Sequence, residues 1–248
     1  MEGSASTSPQ LMARIAGFLY LFIIIGALFA PFAGAPSGMM RENAALPNAA
    51  KILASPSAYF LGGVVQLLVF ACDIGVALLF YELLKPVNRS LALLAAFLRL
   101  VFVAIISANL VNHFAPFVLL TSSAYLEAFS PDQVQALILL FSRLRTIGFD
   151  VALVFFGFHC LLIGYLLFRS TFFPRILGLL LAIGGVGYLA NIFANIISPA
   201  LRVYLFPYIM LPGGFAELLL TLWLLARGVN VQRWEEMSDA SWKLRISP

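Results

Sequence analysis

Four ionisable side chains stand inside long apolar runs of this sequence: Asp73 in "FACDIG", Arg99 in "AAFLRLV", His159 in "VFFGFHC" and Glu217 in "GGFAELL". Placing a charge at the centre of an apolar membrane helix costs about 2.5–3.5 kcal/mol on insertion scales, so such groups face a bundle interior or a partner. With a rise of 1.5 Å per residue counted from one end of each run, all four fall about 12–16 Å deep, in one layer. Asp73 and Arg99 flank the short "KPVNR" connection and are natural ion-pair partners. That pair either fixes helix register or forms the floor of a site. Glu217 then has no arginine of its own, unless Arg99 serves both acids or His159 bonds it. Burial without a cation favours the neutral acid, which can hydrogen-bond a ligand or donate a proton. Glu217 and His159 are therefore the candidate catalytic pair.

A second polar set lies nearer the other face. Gln66 is two helical turns before Asp73 on the same stripe, Asn109 and His113 are four apart with Asn112 beside them, and Asn191 and Asn195 are also four apart. Asp150 shares a helix face with Arg143 and Thr146. Together with Asp73 and Arg99, the residues Gln66, Asn109, His113, Asp150, Asn191 and Asn195 are candidate ligand-binding groups; interhelical hydrogen bonding is the alternative.

Other chemistry is poorly supported. Cys72 and Asp73 point about 100° apart on a helix, which weakens a metal site built from Cys72, Asp73, His159, Cys160 and Glu217. His113 and His159 are the two histidines, and their depths differ by roughly 20 Å, too far for a bis-histidine haem. No lysine sits mid-run for a retinal Schiff base, and there is no GxSxG, HExxH, P-loop or DDxxD motif. No cofactor and no metal are implied. The 23 phenylalanines could line a cavity and stabilise a developing cation, as an isomerase or cyclase acting on an isoprenoid would require.

The elements that must position these groups are membrane helices. The chain has 248 residues, 62% of them hydrophobic and 10% charged, with mean hydropathy +1.00, whereas a soluble domain carries about 25% charged residues. Nucleic-acid binding is a poor reading, and the two cysteines form no CxxC pair. Six runs are long enough to span a bilayer, at about Met12–Gly34, Ala58–Leu84, Leu91–Leu120, Val134–Phe168, Phe172–Ile197 and Tyr204–Ala226. The first ends near a small-x-small "AGA", but its apolar stretch exceeds the ~7–15 residues of a signal peptide and reads as a retained span. The fourth is overlong: either one helix projecting from the membrane or an interfacial helix leading into a span from about Ile147. "SPDQ" supplies its start, with Ser130 as N-cap.

Arg14, Lys85, Arg89, Arg169, Arg175, Arg227, Arg233, Lys243 and Arg245 fall on the side of the termini, and Arg41, Lys51 and Arg202 on the other. That bias places both termini in the cytoplasm of a multi-pass protein of a plasma or inner membrane. The domains are then a disordered N-terminus (1–11), a six-helix all-α transmembrane bundle (12–227) and a cytoplasmic tail (228–248) that is partly ordered or an interfacial helix. The longest loop, Ala35 to Ser57, is outside. A faint repeat pairs "ARIAGFL" with "PRILGLL" and "GGVVQLL" with "GGFAELL", which would match Gln66 to Glu217.

The strings "ARIAGFLYLFIIIG", "KILAS", "CDIGVALLFYELLKPVNRSLALLAAFLRLV" and "FHCLLIGYLLFRSTFFPRILGLLLAIGGVGYL" resemble a bacterial membrane family known as domain of unknown function 4386, from about Ala13 to Gly228. The resemblance implies that Cys72 and Asp73, Lys85 to Arg89, and Arg99 and Leu100 recur in the family, and it implies a membrane fold without a chemistry. The expectation is a bundle with a mid-membrane polar cavity that binds or passes a small apolar or amphiphilic ligand, such as a membrane lipid. The alternatives are a membrane enzyme with Glu217 as general acid and His159 as its partner, or a structural or regulatory subunit.

Overall fold

A computed structural model describes residues 8–29, 49–197 and 208–246. The described residues are helical with short connections. In chain order the helices are α1 (Pro9–Phe29), α2 (Ala49–Ala54), α3 (Pro56–Leu84), α4 (Arg89–Asn109), α5 (Val111–Thr121), α6 (Ser123–Ala128), α7 (Pro131–Arg169), α8 (Arg175–Ile197), α9 (Leu211–Ala226) and α10 (Val231–Ile246), with a 3₁₀ turn at Tyr208–Met210 before α9. Among the described residues six stretches are long and apolar enough to cross a membrane: α1, α3, α4 with α5, α7, α8 and α9 with its leading turn. Each packs on the next in sequence and α9 returns to α1, so the six spans close a ring.

Local sequence explains most boundaries. α3 ends at Lys85–Val87, and the Asn88 side chain caps α4 by accepting from the Leu91 N–H at 3.0 Å. Ser130 and Gln133 form a reciprocal capping box at the start of α7, with Pro131 in its first turn. α7 then runs unbroken for 39 residues, about 58 Å, against a hydrocarbon core of about 30 Å. It is therefore one projecting helix, not an interfacial helix joined to a span. The third span is interrupted at Leu110, and Pro116 sits inside α5.

Two boundaries differ from expectation, and the tail is helical, as one of its two readings had it. α1 begins at Pro9, inside the stretch expected to be disordered. The expected loop 35–57 holds the short helix α2 and the start of α3, while its residues 35–48 lie outside the described residues. The tail is an ordered helix, because Trp234 donates its indole N–H to the Leu83 carbonyl at 2.9 Å and Arg233 reaches the Thr171 carbonyl at 3.1 Å. Gly228, at φ 68°, lets the chain leave α9 in the left-handed conformation. Gln10 bridges that turn to α1, donating to the Arg227 carbonyl at 2.9 Å and accepting from the Val229 N–H at 3.0 Å.

The tightest packing joins α7 and α8. Gly157 and Gly164 on α7 are seven residues apart, as are Gly178 and Gly185 on α8, and they meet in antiparallel pairs. A Cβ on Gly164 would lie 2.7 Å from the Gly178 carbonyl oxygen, and one on Gly185 2.8 Å from that of Gly157. Small residues at this spacing bring backbones together along one helix face. They also fix Tyr188, one turn beyond Gly185, against the bundle interior.

Candidate functional site

Each of the six spans contributes one polar side chain to a central layer: Tyr20 from α1, Asp73 from α3, Arg99 from α4, His159 from α7, Tyr188 from α8 and Glu217 from α9. The expected Asp73–Arg99 ion pair is present and buried. Nε and Nη2 of Arg99 donate to a single Asp73 oxygen at 2.9 and 2.5 Å. The guanidinium, 0% exposed, lies between two rings, with Cζ 4.9 Å from the centroid of Tyr20 and 5.5 Å from that of Phe156. Stacking of this kind suits a planar, weakly hydrated cation.

His159 completes the Arg99 environment. Its Nδ1 is 2.8 Å from the Ala95 carbonyl and its Nε2 3.1 Å from Nη1 of Arg99. A carbonyl only accepts and a guanidinium only donates, so Nδ1 carries the ring proton and Nε2 offers its lone pair. Both nitrogens are engaged and the imidazole is neutral. The expectation that His159 partners Glu217 is thus corrected: the ring serves Arg99.

Two tyrosines hold Glu217 instead. Tyr188 donates to Oε1 at 2.5 Å and Tyr20 to Oε2 at 3.1 Å. Among the described residues no cation is hydrogen-bonded to the Glu217 carboxylate. Unlike Asp73, Glu217 is only half-buried. Gly214, one turn earlier on the same face of α9, meets nothing within 4 Å of where a Cβ would stand. That side of α9 is therefore open. Its neighbour Gly213 is crowded, since a Cβ there would come within 2.5 Å of the Tyr188 hydroxyl. The close approach of α8 to α9 at Gly184 and Gly213, and to the preceding 3₁₀ turn at Gly187, presses Tyr188 onto the carboxylate.

Of the remaining expected residues, Gln66, Asn109 and His113 form a second layer nearer the other end of the ring. Arg145 donates to Nδ1 of His113 at 3.3 Å and to Oε1 of Gln66 at 3.1 Å. Asn109 donates to the Arg145 carbonyl and accepts from Asn112, both at 2.8 Å. Tyr59 stacks on His113 with centroids 4.3 Å apart. Asp150 and Asn191 are buried. The Asn191 side-chain oxygen has no hydrogen-bond partner among the described residues, and the Asn195 side chain lies outside them. The proposed match of "GGVVQLL" to "GGFAELL" does not extend to packing, because Gly63 is crowded by Phe114 whereas its counterpart Gly214 faces open space.

Tyr20, Tyr188 and Arg145 were absent from the sequence-derived set. Tyr20 is about 16 Å from the start of α1 and Tyr188 about 20 Å from the start of α8, so the depth count that found the ionisable residues also locates the tyrosines. Arg145 carries a further signal. Arg99 precedes His113 by 14 residues and Arg145 precedes His159 by 14, a spacing that keeps each pair near one helix face. On antiparallel α4–α5 and α7 this pattern pairs reciprocally, Arg99 with His159 and Arg145 with His113.

The apolar six-span ring defines the chain as a multi-pass integral membrane protein. Residues 15–228 match the family described as domain of unknown function 4386, and the chain belongs to that family. It is also similar to an uncharacterized protein of Archaeoglobus fulgidus, with 26% identity over 173 residues that cover 70% of this chain and 86% of the relative. No solved structure matches it.

Proposed function

We propose that the protein binds a small amphiphilic ligand that enters laterally from the membrane at Glu217. The observation that carries this reading is the Glu217 carboxylate, gripped by two tyrosine hydroxyls, with no hydrogen-bonded cation among the described residues and one turn from the open face of α9 at Gly214. Asp73 has its counter-charge in Arg99, and His159 is committed to Arg99 and a carbonyl, so these three support the site from behind and do not line it. A carboxylate whose bound protons come from tyrosines, in an apolar wall, suits a ligand with one polar donor on an apolar body. Binding is favoured over acid catalysis because the imidazole that would shuttle the proton is occupied. Counted along α9, Glu217 lies about 14 Å from the Ala226 end, roughly mid-membrane, which suits uptake of a lipid-like molecule from the bilayer.

The test is the lipid complement of the purified protein. Wild type and Glu217→Gln are purified in the same detergent, and bound lipids are extracted and quantified by mass spectrometry. At least one amphiphile is expected near stoichiometric amount in wild type and about tenfold lower in Glu217→Gln, the loss of roughly one charge-assisted hydrogen bond. Identical lipid complements in the two proteins refute the proposal.

A further inference from the structure

The second layer, around Arg145, plays no part in that reading, and its donors and acceptors do not balance. It repeats the first layer with one change. In the first, an arginine donates to a histidine that donates to a carbonyl, and the carboxylate of Asp73 on α3 neutralises the charge. In the second, Arg145 donates to Nδ1 of His113, whose Nε2 faces the Tyr59 carbonyl at 3.1 Å. The place of Asp73 is taken by Gln66, two turns earlier on α3. An amide accepts from the guanidinium without neutralising it.

Neither the Lys85–Glu82 nor the Arg99–Asp73 ion pair involves Arg145, whose side-chain hydrogen bonds among the described residues go to His113 and Gln66. His113 is neutral by the same tautomer argument as His159, because its Nε2 proton goes to a carbonyl. The Gln66 amide is fixed as well: turned over, it would aim its NH2 at the guanidinium N–H groups. In the orientation that accepts from Arg145, its Nε2 is buried and finds no acceptor. Asn109 and Asn112 bond each other and the Arg145 carbonyl, and supply no negative charge. Among the described residues the cluster therefore holds one positive charge and a spare amide donor, and no anionic acceptor.

Its depth indicates what that acceptor is. Gln66 stands about 27 Å along α3 from Leu84, close to the ~30 Å thickness of the hydrocarbon core. That is the headgroup level of the leaflet opposite the Lys85–Val87 turn. We infer that Arg145 and Gln66, braced by His113, form a binding site for a phosphate-class oxyanion, supplied by a lipid headgroup or as a free ion. The guanidinium contributes the charge and forked donors, and Nε2 of Gln66 contributes a neutral donor to a second oxygen.

The full-length protein in a neutral maltoside detergent provides the test. Its unfolding midpoint, read by tryptophan fluorescence, is followed during titration with short-chain phosphatidylglycerol and, separately, inorganic phosphate, with sodium chloride as the ionic-strength control. Wild type and Glu217→Gln are expected to gain about 3 °C or more near saturation, and Arg145→Gln to gain nothing. Gln66→Glu installs the missing carboxylate, so it is expected to raise the midpoint without added anion and to abolish the response. A response to phosphatidylglycerol alone identifies the lipid headgroup as the source; a response to inorganic phosphate identifies the free ion. No wild-type response beyond sodium chloride, or an equal response in the variants of Arg145 and Gln66, overturns the inference. Should Arg145→Gln fail to fold, Gln66→Glu decides: a lowered midpoint or an undiminished response overturns it. Because Glu217→Gln keeps the response, this site and the Glu217 site stand or fall separately.

Discussion

Replacing Asp73 by Asn keeps the shape of the central layer and removes one charge. The Asn oxygen still accepts from Arg99 Nε, which now lies 2.9 Å from the Asp73 oxygen, but the guanidinium keeps its positive charge at 0% exposure. His159 offers it a lone pair and two rings offer their faces; none carries a negative charge. Breaking a buried pair by removing one partner costs about 3–5 kcal/mol, and the retained hydrogen bond places Asp73→Asn near the lower end. For a chain of this size about 3 kcal/mol corresponds to a fall in unfolding midpoint of roughly 6–12 °C. The assay is thermal unfolding in detergent by circular dichroism, with the double variant Asp73→Leu/Arg99→Met measured alongside. The double variant removes both charges and is expected to recover at least half of the loss, as apolar replacements of buried pairs do. An Asp73→Asn midpoint equal to wild type, or a double variant worse than the single, refutes the view that Arg99 depends on Asp73 for neutralisation.

Other consequences concern packing. Gly213→Ala should lower the unfolding midpoint by driving a methyl into the Tyr188 ring, whereas Gly214→Ala, one residue on, should leave it unchanged within error, because nothing stands within 4 Å. Gly214→Leu should fold and lose the bound amphiphile by covering the open face of α9 one turn from Glu217, as quantitative lipid extraction would show. Gly164→Ala should cost about 1–3 kcal/mol in chemical unfolding, since the new methyl meets the Gly178 carbonyl oxygen and the Ala182 amide nitrogen at 2.7 and 2.8 Å.

The spans and the Asp73–Arg99 pair were legible because hydropathy and a tight turn depend on local sequence. "KPVNR" makes α3 and α4 neighbours, and equal counts from that turn bring the two charges level. What the sequence concealed depends on the order of helices around the ring. His159 and Glu217 share a depth, yet α7 faces α4 while α9 faces α1 and α8, so the histidine meets Arg99 and the acid meets tyrosines. Tyrosine is ordinary in apolar helices and carries no charge to attract notice, although Tyr20 and Tyr188 define the Glu217 environment. Arg145 was not singled out because it stands near the start of the overlong fourth run; only the continuity of α7 brings its guanidinium opposite His113.

The central claim, that an amphiphile enters from the membrane beside Glu217, is tested most directly by photo-crosslinking in lipid vesicles. A fatty amphiphile bearing a diazirine on its chain is irradiated with the full-length protein, and labelled peptides are mapped by mass spectrometry. The account predicts concentrated labelling of α1 near Tyr20, α8 near Tyr188 and α9 around Gly214, lost in Glu217→Gln while labelling of exposed residues such as Leu78 and Phe97 is unchanged. Labelling spread evenly over lipid-facing residues, and identical in Glu217→Gln, would contradict it.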